Sequence, residues 1–166
     1  MRIAVMQPTY LPWIGYFALI DSVHTFVLLD DVQFSRRSWQ QRNRVKGPNG
    51  EVLLTVPVKR SPRESLLCEI QIDNTQKFSD NHIGSVEQNY AKSRFLETEW
   101  APLRALIASG IHGLADLNVS TILYLANRLG LETNFVRSSS LPVGGTRDEY
   151  LANICMKLGA TTYVSP

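Results

Sequence analysis

Cysteine is scarce in this chain of 166 residues: Cys68 and Cys155 stand far apart, without metal-ligand spacing. Both read as reduced thiols, and no disulfide is expected. Histidine numbers 3, and no pair of His or Cys has the spacing of a metal centre, so no metal is expected. An excess of one charge is also lacking, because 17 Lys and Arg against 15 Asp and Glu leave +2. That balance argues against a protein whose main task is gripping nucleic acid, while leaving room for a local basic patch. No hydrophobic run approaches the length of a membrane span. The opening Met1-Arg2-Ile3-Ala4-Val5-Met6 is too short for a signal peptide and is broken at Gln7-Pro8. The expectation is a soluble, cytoplasmic protein. Repeats and low-complexity tracts are missing. So are Gly-x-x-x-x-Gly-Lys-Ser/Thr, Gly-x-Ser-x-Gly, His-Glu-x-x-His and a complete Gly-x-Gly-x-x-Gly. The common NTPase, hydrolase, zinc-protease and dehydrogenase readings lose their support accordingly.

What is present is globular: 44% apolar and 19% charged residues, enough for one domain with a real core. Residues 2–7 form a short apolar run that reads as a buried strand, residues 14–22 a helix, and residues 25–29 a second strand. Strand, helix and strand in so little space make a βαβ unit, which favours a parallel sheet. Residues 42–46 and 51–58 flank Gly47-Pro48-Asn49-Gly50, a hairpin signal. Residues 69–73 suggest a further short strand, and helices are expected over 75–91, 99–109 and from 116 to a stop at Gly130. A strand follows at 133–137, then a capping-box signature at Thr146-Arg147-Asp148-Glu149, a helix ended by Gly159, and a last strand at 161–164. The expected fold is α/β: a Rossmann-like three-layer arrangement with a mainly parallel sheet and an inserted β-hairpin. It is read as a single domain over 1–166, with the basic hairpin insert at about 36–73 and a helical middle at about 75–130. The final strand runs straight into Ser165-Pro166, so either it is an edge strand or the natural protein continues.

In an open parallel sheet, ligands sit outside the carboxyl ends of the strands. Four segments are expected there: Gln7-Pro8-Thr9-Tyr10, Asp30-Asp31, Ser138-Ser139-Ser140 and Ser165. Turns are polar in any case, but four together point to a pocket. Tyr10 and Trp13 sit in the first turn and are candidates for stacking on a base, sugar ring or acyl group. Asp30 and Asp31 are adjacent, so on a strand they point to opposite faces. One of them binds a ligand hydroxyl, an ammonium or Mg²⁺ while the other pairs with an arginine, or both form a strand-end salt bridge. Arg36, Arg37, Arg42, Arg44 and Lys46 crowd into one stretch near Trp39. If 42–46 is a strand, Arg42, Arg44 and Lys46 share a face suited to phosphate, carboxylate or a nucleotide diphosphate; the alternative is a solvated hairpin. Gly144-Gly145-Thr146-Arg147 precedes a helix and is either an anion cradle or a hinge. His82, with Ser85 and Asn89 on its side of the helix, is the best general acid–base candidate, because histidine titrates near neutral pH.

Several of these stretches are similar to the WbqC-like protein family. They are residues 6–17, Asp30-Asp31-Val32-Gln33-Phe34, Trp39-Gln40-Gln41-Arg42-Asn43, Gly159-Ala160-Thr161-Thr162-Tyr163-Val164-Ser165, and His82 followed by Val86 and Tyr90. Members continue past a Tyr-x-Ser-like strand end, so this chain resembles a truncated one. The resemblance implies work in O-antigen and other surface-polysaccharide pathways, on an activated sugar or its acyl or aminoacyl decoration. A weaker resemblance, of architecture, is to nucleotidylyltransferase-like α/β proteins. Where those carry His-x-Gly-His, this chain has Trp13-Ile14-Gly15-Tyr16, so adenylyl transfer through imidazole is not expected.

The leading expectation is a transferase acting on a nucleotide-linked sugar or a carrier-linked acyl or aminoacyl intermediate. Gln7, Thr9, Tyr10, Trp13, Asn43, Ser138, Ser139 and Ser165 would hold substrate. Arg36, Arg42, Arg44 and Arg147 would neutralise its charge. Asp30 and Asp31 would bind hydroxyl or amine groups, and His82 would move a proton. No cofactor is named by the sequence. The alternatives are a non-catalytic sugar-nucleotide-binding protein, and a nucleic-acid-binding protein using the basic hairpin.

Overall fold

Strand β1 (Arg2–Met6) alternates its side chains between two faces, and both faces are covered. Ile3 and Val5 pack on one side, in a cluster with Val27 and Ile154. Ala4 packs on the other, among Tyr16, Phe17, Ile20, Phe26, Leu28, Val119 and Ile122. A strand buried on both faces reads as the continuous apolar run seen here. The computed structural model describes residues 1–165; Pro166 lies outside them.

The chain continues through helix α1 (Ile14–Asp21) into β2 (Thr25–Leu28), then through a hairpin of β3 (Arg42–Gly47) and β4 (Gly50–Thr55). Helices α2 (Phe78–Tyr90), α3 (Leu96–Ile107) and α4 (Leu114–Arg128) follow, then β5 (Asn134–Arg137), α5 (Arg147–Lys157) and β6 (Thr162–Tyr163). The main sheet is parallel, in the order β5-β2-β1-β6. Helices α1 and α4 lie on one face and α5 on the other. The reason is handedness: β1, β2 and β5 progress in one direction, β6 returns to the far side of β1, and a right-handed crossover in the reverse direction must use the opposite face. The expected three-layer α/β fold with a mainly parallel sheet and an inserted hairpin is what forms.

A third apolar cluster lies outside the sandwich. It joins Leu54 and Val56 after the hairpin to Ile70, Ile72, Phe78, Ile83, Trp100 and Ile107. Helix α4 unites the cores, since Leu114 and Leu117 enter this cluster while Val119, Ile122 and Ala126 face the sheet. Among the described residues, no helix is long and apolar enough to cross a membrane.

Three local expectations are corrected. Residues 69–73 do not form a strand: Ile70 and Ile72 are buried on one side as a strand would bury them, but the segment pairs only through isolated bridges, Ile72 to Val58 and Gln71 to Gly113. Thr146 takes the extended N-cap conformation of α5 but makes no side-chain cap bond, so the capping box does not close. The hairpin turn is tighter than a four-residue linker, because Gly47 pairs with Gly50 around Pro48-Asn49. Gly50 there has φ +127°, a conformation a side chain would strain.

Candidate functional site

Strand order reverses at β1, so the crevice between the carboxyl ends of β1 and β6 is the topological switch point of the sheet. A cleft of about 430 Å³ opens there. Its walls are Val5 and Met6 of β1, Gln7 and Thr9 beyond it, Ser38, Trp39 and Gln40 of a loop, Leu151 of α5 and Tyr163 of β6. A second hollow of about 290 Å³ shares Met6, Thr9 and Trp39 and adds Trp13 and Asn43. A third, also about 290 Å³, shares Trp39 and adds Arg42, Arg44, Glu51 and Leu53. Trp39 is common to all three.

Two indoles stand open at this cleft: Trp13 is 67% exposed and Trp39 50%. Large aromatics left in water beside a concavity are contact surfaces in waiting. Trp13 lies flat over Gly15: a Cβ there would meet its ring at 2.0 Å. The stretch that stands where His-x-Gly-His would lie therefore presents an indole to the cleft, while Tyr16 is buried in the core. Burial also raises the Tyr16 phenol well above its ordinary pKa. The Trp39 face carries the Arg44 guanidinium at 5.6 Å.

The polar groups behind the cleft are locked. Gln40 is 2% exposed; its Nε2 donates to Gln7 Oε1 at 2.7 Å and its Oε1 accepts from Ser35 N at 2.8 Å. Asn118 of α4 is fully buried and its Nδ2 donates to both the Pro8 and Gln40 carbonyls, at 3.1 and 2.7 Å. One helix side chain thus ties the two cleft-forming loops together. Asn43 Nδ2 donates to the Tyr10 and Leu11 carbonyls, which holds Leu11 at φ 45°, unusual for a branched residue. Asn43 lines the cleft, but its amide protons are spent on shaping the turn.

The paired carboxylates occupy the neighbouring strand ends. Asp30 is fully buried and well partnered: it accepts from Arg137 Nε at 2.6 Å and from Ser139 N and Ser139 Oγ at 3.0 Å, while its own N–H donates to Ser138 Oγ at 3.0 Å. Arg137 also binds Asp116 at 2.6 Å. Asp31, half-buried, accepts from Ser138 Oγ and Tyr150 Oη, each at 2.5 Å. Burial first, and this bond second, push the Tyr150 phenol up to about 12. The sheet brings Asp30, Asp31, Ser138 and Ser139 together as expected, but around one another. Neither aspartate lines the switch-point cleft, and Asp30 is closed off from solvent by its own partners.

Tyr10 and His82 are also corrected. The Tyr10 ring is fully buried, with its hydroxyl 2.9 Å from His82 Nδ1, so it stacks on the core rather than on a ligand. His82 is 5% exposed, lies against Phe78, and lines none of these hollows. Burial lowers its pKa to about 4, against a hydrogen bond to the Thr55 backbone that works the other way. It is neutral and enclosed, which does not suit a proton carrier. Of the arginines, Arg42 and Arg44 reach the third hollow, where Arg44 pairs with Glu51 at 2.8 Å and Arg42 makes no ion pair among the described residues. Arg36 lines a different cleft. Arg147 and Ser165 are exposed and line none of the hollows described.

The sequence profile of the WbqC-like protein family matches residues 7–166. This chain belongs to that family. An uncharacterised protein of Mycobacterium tuberculosis, Rv1507c, is 34% identical over 168 residues, an alignment covering 99% of this chain and 71% of the relative. No solved structure is a significant match.

Proposed function

We propose that this protein is a transferase of cell-surface polysaccharide assembly, of the O-antigen kind, which holds a nucleotide-linked sugar or a carrier-linked acyl or aminoacyl intermediate in the switch-point cleft. The observation that carries the reading is the pair of exposed tryptophans, Trp13 and Trp39, at the open carboxyl ends of β1 and β6. Indole faces stack on bases for about 1–3 kcal/mol each and pack equally well on sugar rings. Gln7, Thr9 and Ser38 offer hydrogen bonds to hydroxyl groups. Arg42 supplies a positive charge beside Trp39 for a phosphate or carboxylate, including the anion that departs when such a donor is cleaved. A cytoplasmic setting is supported by the two unpaired thiols, Cys68 and Cys155.

One observation favours a second reading, ligand binding without turnover. Among the described residues, no His, Asp, Glu or Lys lines the two hollows that contain Thr9. A single experiment separates the readings. The protein is incubated with sugar nucleotides, amino acids, acyl carriers and ATP, and product masses are followed. A transferase yields a new mass that Trp39→Ala suppresses. A binding protein gives saturable binding and unchanged masses. Failure of every such compound to bind removes both.

A further inference from the structure

Two loops away from the switch point enclose a larger hollow. The segment after β2 (Gln33 to Arg36) and the segment after β4 (Ser61 to Arg63) line a half-open cleft of about 620 Å³. The size is that of small-molecule sites, and no lining residue is shared with the tryptophan cleft.

Its charge is one-sided. Arg36 lines one wall and Arg63 the other; Arg37, Lys59 and Arg60 flank these segments in sequence without lining the cleft, and all five are exposed. None makes an ion pair among the described residues. No acid lines the cleft: Glu64 lies beside it in sequence, Glu69 is engaged by Leu66 N at 2.9 Å, and Asp73 faces Lys59, outside the lining residues. Two arginines on facing walls with no acid between them create a positive field inside the cleft.

The walls are built rather than loose. Arg36 Nη2 donates to the carbonyl and the hydroxyl of Ser61, both at 3.0 Å, and its guanidinium stands 6.0 Å over the Phe34 ring. Its Nε and Nη1 have no acceptor among the described residues. Across the cleft, Gln33 Nε2 holds the Arg63 carbonyl at 2.9 Å, and Phe34 N bonds Ser65 O at 2.9 Å. A guanidinium fixed on one side and free on the other is pre-organised for a forked anion contact.

We infer that this cleft is a separate anion site for a ligand carrying a diphosphate. One carboxylate would answer one arginine; cations on facing walls call for linked negative groups with several acceptor oxygens. Nucleoside diphosphates and diphosphate-linked lipids share this chemistry.

The test is calorimetric titration of the whole chain with inorganic pyrophosphate, at low and moderate salt. Saturable binding is expected, weakened at least tenfold by Arg36→Ala or Arg63→Ala and changed less than twofold by Trp39→Ala. Arg36→Lys, which keeps the charge but loses the fork, should fall between. Both arginines are exposed, and thermal melting verifies that the variants fold. Uridine diphosphate and geranyl diphosphate, titrated in the Trp39→Ala background, distinguish a nucleotide source from a lipid source by which binds more tightly. The inference is overturned if pyrophosphate does not bind saturably, if neither arginine matters, if Arg42→Ala abolishes binding instead, or if only long polynucleotides bind.

Discussion

Gln40 donates its Nε2 hydrogen to Gln7 Oε1 at 2.7 Å, so one buried amide fixes the orientation of another at the lip of the cleft. The same Gln40 side chain accepts from Ser35 N. Gln40→Leu leaves the part-buried Ser35 N–H and Gln7 Oε1 without their partner, a loss of about 1–3 kcal/mol in all. The expected outcome is a lower urea midpoint at an unchanged slope. Ligand affinity should fall further than in Gln7→Ala, because the loop carrying Trp39 loosens as well.

Gly15→Ala separates binding from folding. Its backbone is helical, and alanine is favoured there over glycine by up to about 1 kcal/mol. The three atoms nearest the added methyl all belong to the Trp13 ring, which is 67% exposed and can swing into solvent. Stability should therefore hold or rise in thermal melts, while Trp13 emission shifts and the affinity of any stacked ligand drops.

The buried ion pair predicts an asymmetry. Arg137→Ala leaves the buried Asp30 carboxylate with the Ser139 donors but no counter-charge, and the loss should approach that of a fully buried pair, about 3–5 kcal/mol. Asp116→Ala removes the exposed partner of the same guanidinium and should cost no more than about 1 kcal/mol. Guanidinium-chloride unfolding of the two variants checks the difference. Equal losses would show that Arg137 is held as much from outside as from within.

His82 makes stability depend on pH. Its folded pKa, about 4, lies below the ordinary 6.5, so the unfolded chain binds the proton first as pH falls. The stabilisation is complete above about pH 6.5 and is lost down to about pH 4, with a total on the order of 3 kcal/mol. His82→Gln should flatten unfolding curves in that window relative to the parent. Should turnover be found, its pH profile should not report this imidazole except through unfolding.

Much of the sheet was legible because its signals are local. The apolar runs of β1 and β2, the stripe of α4 and the glycine-closed hairpin each state their own structure. Crossover handedness fixes the face each helix takes once the strand order is known, but the order itself, and with it the switch point between β1 and β6, has no local signal. Side-chain partnerships over long separations were not legible. Asp30 meets Arg137 across 107 positions, and Tyr10 meets His82 across 72. Nothing in either neighbourhood of the sequence announces those contacts, and they turn expected ligand groups into scaffold. Trp39 had a signal, an aromatic beside a cationic strand, yet its place where three hollows meet depends on a loop path that no local pattern sets. Gln40 stood only as one member of the Trp39-Gln40-Gln41-Arg42-Asn43 stretch, and its polarity ordinarily means a surface residue.

The indoles of Trp13 and Trp39 rest on top of the architecture, whereas everything beneath them is fastened by Asn118, Asn43 and Gln40. Exchange of either ring asks nothing of the core. The surface at this cleft can therefore be altered by one or two substitutions without first re-stabilising the protein.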